Sequence, residues 1–417
     1  LTLPNDGTII SKDSNGAVGV TSVVTTTATI TTAKVGAAVT ISESGIEASG
    51  IGITCANING TQIGGRRNLI INGDMNVAQR GTSSSSSGNT QQTVDRFYVD
   101  VGGADEQPEQ AQVDVASGTT PYTLGFRKSY KIINGNQTSG AGGTDYIAYI
   151  MKLEAQDIAN SGWNYTDPNS FITLSFWIKS SVAQAFSGSL RSVDGSVYHY
   201  KYDTPSLSAD TWTKVVKTIP GNANLTFNND NGHGFTFSLQ AFIGTTYTSS
   251  NSDTETWLAY SSTRFANNMT STWYTTNDAT LELTGVQLEV GSQATAFEHR
   301  SFAEELELCK RYYQVLVKGN SQYFGTVAYQ YSGSLALTQF RLIPEMRSSP
   351  SLDQSTGTDY YTYYTDNSSN KYNSFTGLSL PHTKGGAIYV TASVTKGYAG
   401  AFATNNASAK IAFAAEL

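Results

Sequence analysis

The chain is 417 residues long, 39% hydrophobic and only 14% charged, against about 25% charged in an ordinary soluble domain, and its length points to two or three domains. Thr, Ser, Asn, Gly and Tyr fill the deficit, giving a neutral polar surface that fits β-structure exposed outside a cell better than a cytosolic enzyme. The formal net charge of −7 leaves no basic footprint for nucleic acid, and no apolar run approaches the ~18–20 residues of a membrane span.

No signal-like segment opens the chain, and a start at Leu1 reads as a fragment or a processed product. Residues 1–65 are rich in Thr, Ala, Gly and Val. In "GIEASGIGITCANINGTQIGG", Ile46, Ile51, Ile53, Ile58 and Ile63 alternate with small residues. One copy has too little apolar surface to offset its own conformational entropy. A disordered linker is one reading. The β-branched runs "VVTTTATITT" and "AAVTISESG" favour the other, a trimeric shaft in which intertwined strands bury each Ile and Val against symmetry mates.

The character changes at Gly64–Gly65. "RRNLIINGDMNVAQRG" precedes a flexible "TSSSSSGNT" loop. From "VDRFYVD" to Glu298 short strand signals alternate with turns. In "FITLSFWIKS", Ile172, Leu174, Phe176 and Ile178 form the apolar side, as in an inner strand of a β-sandwich or jelly roll. Residues 66–299 are therefore expected to form one such domain.

The segment "EHRSFAEELELCKRYYQ" is different. Phe302, Leu306, Cys309 and Tyr313 recur at helical spacing, Ser301 is placed to cap, and Glu307 and Arg311 sit at i,i+4. Residues 300–314 are expected to be a connecting helix. Its stripe would pack either against its copies around a threefold axis or on its own sandwich. Residues 315–417 return to strand signals and are expected to form a C-terminal all-β head. The expected fold class is thus all-β: an intertwined shaft, a jelly-roll sandwich, one junction helix and a β-sandwich head.

Three blocks carry a resemblance: Asn68–Gly73 in "RRNLIINGDMNVAQRG", Gln287–Tyr313 in "QLEVGSQATAFEHRSFAEELELCKRYY", and Pro344–Pro350 in "PEMRSSP". Together they resemble phage and prophage tail-fibre proteins over about residues 66–352. "FITLSFWIKSS" and "TWTKVVKTIPG" are similar, more weakly, to carbohydrate-binding-module jelly rolls. The resemblance implies a homotrimeric fibre in the virion, joined at its N-terminal side to a tail or baseplate protein, with distal domains that recognise the host surface.

Few motifs suggest chemistry. There is no G-x-S-x-G elbow, no H-E-x-x-H and no phosphate cradle. His199, His233, His299 and His382 are scattered, and His299 is read as structural at the junction. Cys55 and Cys309 form neither a disulfide framework nor a zinc site, and Cys309 is read as a buried hydrophobe. Asn228 and Asp230 in "NNDNGHG" offer oxygens at alternate positions but lack the other ligands of a calcium loop, so a turn is favoured and a structural calcium is the one cofactor kept open. The aromatic content, 24 Tyr, 17 Phe and 5 Trp, is the strongest functional signal. Tyr360, Tyr361, Tyr363, Tyr364 and Tyr372, among Asp, Asn and Ser, could stack on sugar rings or pack together in a hairpin. Trp163 and Tyr165 form a second candidate surface. The expected function is adhesion to a host cell-surface glycan without covalent chemistry. The alternatives are a polysaccharide depolymerase, whose paired carboxylates could converge from distant positions, and a structural spacer.

Overall fold

The structure, a computed structural model, describes residues 66–85, 89–248, 254–366, 368–391 and 398–417, together with five short strands between residues 32 and 62. It is nearly all β, with 43% strand and 8% helix. Leu1–Ala56 forms one unit. Its described part is an antiparallel sheet of Thr32–Val35, Val39–Ser42 and Gly45–Ala48. Of the remaining shaft residues, Asn57–Ile58 and Thr61–Gln62 form a two-stranded antiparallel pair, and the others lie outside the described residues.

In the second unit, Asn57–Leu417, residues 83–290 build a sandwich of two six-stranded antiparallel sheets. One runs in the order Trp257–Ala259, Tyr198–Asp203, Ser187–Ser192, His233–Ile243, Tyr146–Glu154, Phe97–Gly102. The other runs Thr213–Pro220, Phe171–Ser180, Thr280–Val290, Lys128–Ile133, Glu109–Asp114, Ser83–Ser84. Alternation selects the core: Ile172, Leu174, Phe176 and Ile178 are all fully buried, as their spacing predicts, and they pack with Tyr149, Tyr202, Phe237 and Leu283. Gly285, at φ +64°, forms a bulge opposite Ser175–Trp177, in a backbone conformation that side-chain-bearing residues rarely adopt.

Residues 313–414 form a second sandwich, with a three-stranded sheet (Tyr313–Lys318, Lys410–Ala414, Ser351–Gln354) and a seven-stranded sheet. Its separate core includes Phe324, Phe340, Tyr361, Tyr363, Phe402 and Phe413.

The helix spans Phe302–Lys310 and is started by a capping box, with Ser301 Oγ accepting from Glu304 N and the Glu304 carboxylate accepting from Ser301 N. Cys309 is buried against Ile71, Val77 and Tyr312, with Leu306 and Leu308 partly buried beside them. Within the chain, the stripe's Cys309 end packs on the segment that holds Ile71 and Val77. Phe302 stands 60% exposed, and Tyr313 is no longer helical but begins the next strand, buried with its hydroxyl donating to Asp353.

The three sequence blocks converge here. Asn68 Nδ2 donates to Val286 O, and Asn68 Oδ1 accepts from Ile70 N and Leu288 N. Arg300 donates to the carbonyls of Asn68 and Ile70, while buried Glu305 accepts from Asn72 N. Gly73 is needed because a Cβ would lie 2.1 Å from Val286 O. Arg347 donates to Ala415 O, Glu416 O and Asn231 O, and so ties head to first sandwich. Buried Glu154 accepts from Arg311 and Tyr312, Arg96 pairs with Glu416, and its guanidinium lies 3.3 Å above the Tyr312 ring.

Candidate functional site

The tyrosine cluster is divided by strand alternation. Tyr361 and Tyr363, in the Tyr361–Thr365 strand, are fully buried in the head core. Tyr361 donates to the carbonyls of Ser355 and Lys410, and the Tyr363 ring lies 4.8 Å from that of Phe402. Tyr360 and Tyr372 are half-buried against the same core, so Tyr364 is the most solvent-facing of the five, 6.0 Å from the Tyr323 ring. Trp163 is buried with its indole N–H on Ser170 O, and Tyr165 packs edge-on against Phe227. These two rings anchor their loop on the core. The 228–234 segment is a turn: Asn228 donates to Asp194, and Asp230 accepts from Gly232 N. Among the described residues, no three or more His, Cys, Asp or Glu side chains gather as a metal site would require. His299 is wedged between Phe126 and Phe297, with Nε2 on Leu124 O.

The most site-like surface is the outer face of the first sandwich's Trp257-to-Gly102 sheet. Register places three outward rows there. One is Leu258, His199, Arg191, Thr236 and Lys152. The second is Lys201, Ser189, Ser238, Ile150 and Tyr98, and the third is Asp203, Ser187, Gln240, Ala148 and Asp100. Such cross-strand neighbours on one face stand ~4.5–5.5 Å apart at Cβ. An outer face is ordinarily wet, but this one is covered. Phe265 N donates to Tyr247 O, Tyr260 N to Val197 O, and Asn267 bonds Ser187 and Asp203, which folds residues 260–267 over the sheet.

A cleft of about 190 Å³ remains between sheet and cover, lined by Asp100, Tyr146, Gln240, Tyr247, Tyr260 and Phe265 among others. That is below the ~300–1,000 Å³ that engulfs a drug-sized ligand, and suits a single ring unit of a longer chain. Gln240 in its lining and His199 on the same sheet face are each 1% exposed, yet both ring nitrogens of His199, Gln240 Nε2 and Arg191 Nε have no hydrogen-bond partner. Buried polar groups are nearly always paired, and an unpaired one costs about 1–3 kcal/mol. Four orphaned atoms on one covered face are therefore what a site awaiting a polar ligand presents. Burial, then the positive charges of Lys201, Arg191 and Arg264, push His199 down to about 4, so its ring is neutral at pH 7. Burial raises the Asp100 carboxyl against the pull of Lys152 and Arg191.

A larger polar cleft of about 610 Å³ lies at the joint, with Asp353 and Glu416 in its wall. Burial would raise Asp353, but hydrogen bonds from Tyr313 and Lys410 hold it below the ordinary carboxylate range, and Glu416 is paired with Arg80 and Arg96. Asp353 is thus not the proton donor of raised pKa that carboxylate-pair glycoside cleavage uses.

Sequence reading did not find Arg191, His199, Gln240, Tyr260 or Phe265. Their strands, "GSLRS", "YHYKYD" and "FSLQAF", show polar residues at alternate positions, the pattern of any solvent-facing sheet. Only the cover makes those positions dry.

No protein-family model matches the chain, and no curated protein does. Solved structures are similar to parts of it. The enzymatically active domain of tailspike protein 4 of bacteriophage CBA120 aligns at 9% identity over 54% of this chain, with a TM-score of 0.28. This chain spans only 21% of that domain. A family 11 carbohydrate-binding module from Clostridium thermocellum, in complex with a mixed-linked tetrasaccharide, aligns at 12% identity over 49% of this chain and 91% of its own, with a TM-score of 0.22. A family 30 carbohydrate-binding module aligns at 11% identity over 48% and 82%, with a TM-score of 0.21. At such scores the likeness is too loose to transfer a ligand or an activity.

Proposed function

We propose that this chain is a phage tail-fibre protein that binds a host cell-surface glycan non-covalently, through the covered cleft on the first sandwich. The carrying observation is a set of orphaned polar atoms on one sheet face: Gln240 in the cleft lining with Tyr146, Tyr247, Tyr260 and Phe265, and His199 and Arg191 beside the Tyr260 ring. Aromatic faces stack on sugar C–H surfaces while buried donors and acceptors fix the hydroxyls, as in small-molecule sites generally. The fibre acts in the virion as a homotrimer, joined to the tail or baseplate at its N-terminal side. Threefold repetition then raises weak single-site affinity to useful avidity.

The test is calorimetric titration of the full chain with envelope polysaccharide from host cells, beside the Gln240→Leu variant. That substitution replaces an unpartnered buried amide with a near-isosteric apolar group, a change that is neutral or stabilising when nothing else is bonded. Binding should fall at least tenfold while the melting temperature holds or rises. Unchanged binding would exclude the cleft. Reducing ends released during incubation would show a depolymerase instead.

A further inference from the structure

We infer that the glycan taken by this cleft carries an anionic substituent, received by the Arg191 guanidinium; the inference rests on the glycan reading above and narrows its ligand class. The chain as a whole is acidic, at −7, yet its covered sheet face is cationic. The outward rows and the cover bring Lys152, Arg191, Lys201 and Arg264 to one region, with Asp100 as the carboxylate in the cleft lining. The neighbours sense one another's charge: Arg191 depresses Lys152 after burial does, and Lys201, Arg191 and Arg264 add to burial in depressing His199.

These cations are not equally engaged. Lys152 donates to Leu417 O at 2.9 Å. Arg191 has neither a hydrogen bond nor an ion pair among the described residues, and its Nε is buried. Its neighbours are instead the rings of Tyr260 and Phe265, with the guanidinium carbon 5.6 and 5.8 Å from their centroids. Those distances lie near the ~6 Å limit of cation–π attraction and leave the guanidinium's five N–H groups without acceptors. Arg191 is half-buried, and Asp100, whose carboxyl feels its charge, makes no ion pair with it, so an incoming anion would supply the partner that the guanidinium lacks. Arginine's planar fork matches a carboxylate or phosphate bidentately, and a neutral hydroxyl uses it poorly. Tyr260 and Phe265 stand beside it, so a sugar ring stacked there would bring its acidic group to the fork.

The experiment uses a panel of bacterial surface polysaccharides, each assayed against the full chain as isolated, after carboxyl reduction, and after removal of phosphate. The expected result is a bound acidic polymer whose affinity drops at least tenfold when its carboxylate or its phosphate is removed, and the arm that weakens it names the anion. Binding should also weaken steadily with added salt, and Arg191→Gln should bind native and neutralised polymer alike. A wild-type protein indifferent to both treatments overturns the anionic ligand and leaves the glycan reading standing. Failure to bind any polymer overturns both. Should Arg191→Gln misfold by near-ultraviolet circular dichroism, the salt series on wild type and the half-exposed Arg264→Gln variant decide. Affinity flat in salt and untouched by Arg264→Gln overturns the inference.

Discussion

The outer face of the first sandwich and the outer face of the head's seven-stranded sheet are both aromatic, but they are built differently. On the head, the Tyr323–Ser332 strand turns Tyr323, Val327, Tyr329 and Tyr331 to solvent at 39–69% exposure, with Tyr329 and Tyr331 on the wall of an open groove of about 780 Å³. On the first sandwich, the rings line a cleft together with Gln240, whose Nε2 is buried and unpartnered, and unpartnered His199 lies on the same sheet face with its ring 5.9 Å from that of Tyr260. Rings alone offer stacking area without fixing a ligand's orientation. Rings beside orphaned donors and acceptors offer both, which is why counting tyrosines along the chain leads to the head and burial leads to the other sandwich.

The comparison is most severely tested where the tyrosine cluster proves to be core. Tyr363→Ala removes a fully buried ring packed on Phe402 and should destabilise the protein by about 3–5 kcal/mol, the usual cost of truncating a core aromatic. Chemical denaturation should register it as a large fall in midpoint. A loss below about 1 kcal/mol would mean that Tyr363 faces solvent after all.

Coupling between the two sandwiches comes next. Glu154→Ala removes the acceptor of Arg311 and the Tyr312 hydroxyl and leaves a partly buried guanidinium unpaired, at a cost of about 3 kcal/mol. Differential scanning calorimetry should then resolve two transitions, one per core, where the wild type gives one. A single unshifted transition would show that the ion pair does not join them.

Much of this architecture is legible in the residues. The 3.6-residue period marks a helix over 300–314, of which Phe302–Lys310 is helical while Tyr313 opens a strand; Ser301 is its cap, and the alternation at 171–178 marks an inner strand. The blocks at 68–73, 287–313 and 344–350 are separated by up to some two hundred residues in sequence but meet at one joint, with Gly73, Asn68 and Arg347 each constrained by a backbone contact. What the pattern does not carry is which side of a strand is covered. "YHYKYD" places His199 and Lys201 opposite Tyr200 and Tyr202, and local sequence is silent on the segment at 260–267 that folds over them. The same gap left the tyrosines undivided: "DYYTYY" is too dense for every ring to enter one core, and on one strand Tyr361 and Tyr363 turn inward while Tyr364 turns outward.

The His199 ring sharpens the claim that the covered sheet face is dry. Its folded value, about 4, lies below the ordinary 6.5, so the unfolded chain takes up a proton that the folded chain refuses. Stability from this group is full above pH 6.5 and is lost as pH falls toward 4, by as much as about 3 kcal/mol. Asp74 and Asp95, raised to about 6 chiefly by burial, slope the opposite way, so the comparison is between variant and wild type. His199→Gln should flatten the acid side of the melting-temperature profile. Parallel profiles would mean that water or a partner already serves the ring, whose charged neighbours are Lys201, Arg191 and Arg264 and whose nearest ring is Tyr260.

The smaller effects separate the two surfaces by binding. Tyr260→Ala should cost about tenfold in glycan affinity, or about 1.4 kcal/mol, because it removes one wall of the cleft. Tyr331→Ala on the head should change it less than twofold in the same titration. Equal losses would spread the site over both surfaces.

Tyr364→Ser gives the least expected change and the cleanest contrast. Tyr364 shares a strand with two core tyrosines, is 40% exposed, and has Tyr323 as its neighbouring ring. An exposed side chain away from caps, ion pairs and strained backbone usually moves stability by no more than about 0.5 kcal/mol, so its replacement should leave both melting temperature and glycan affinity where they were. A tenfold loss of affinity at unchanged stability would instead place sugar on the head platform, because Tyr364 contacts nothing in the first sandwich through which it could act on the cleft.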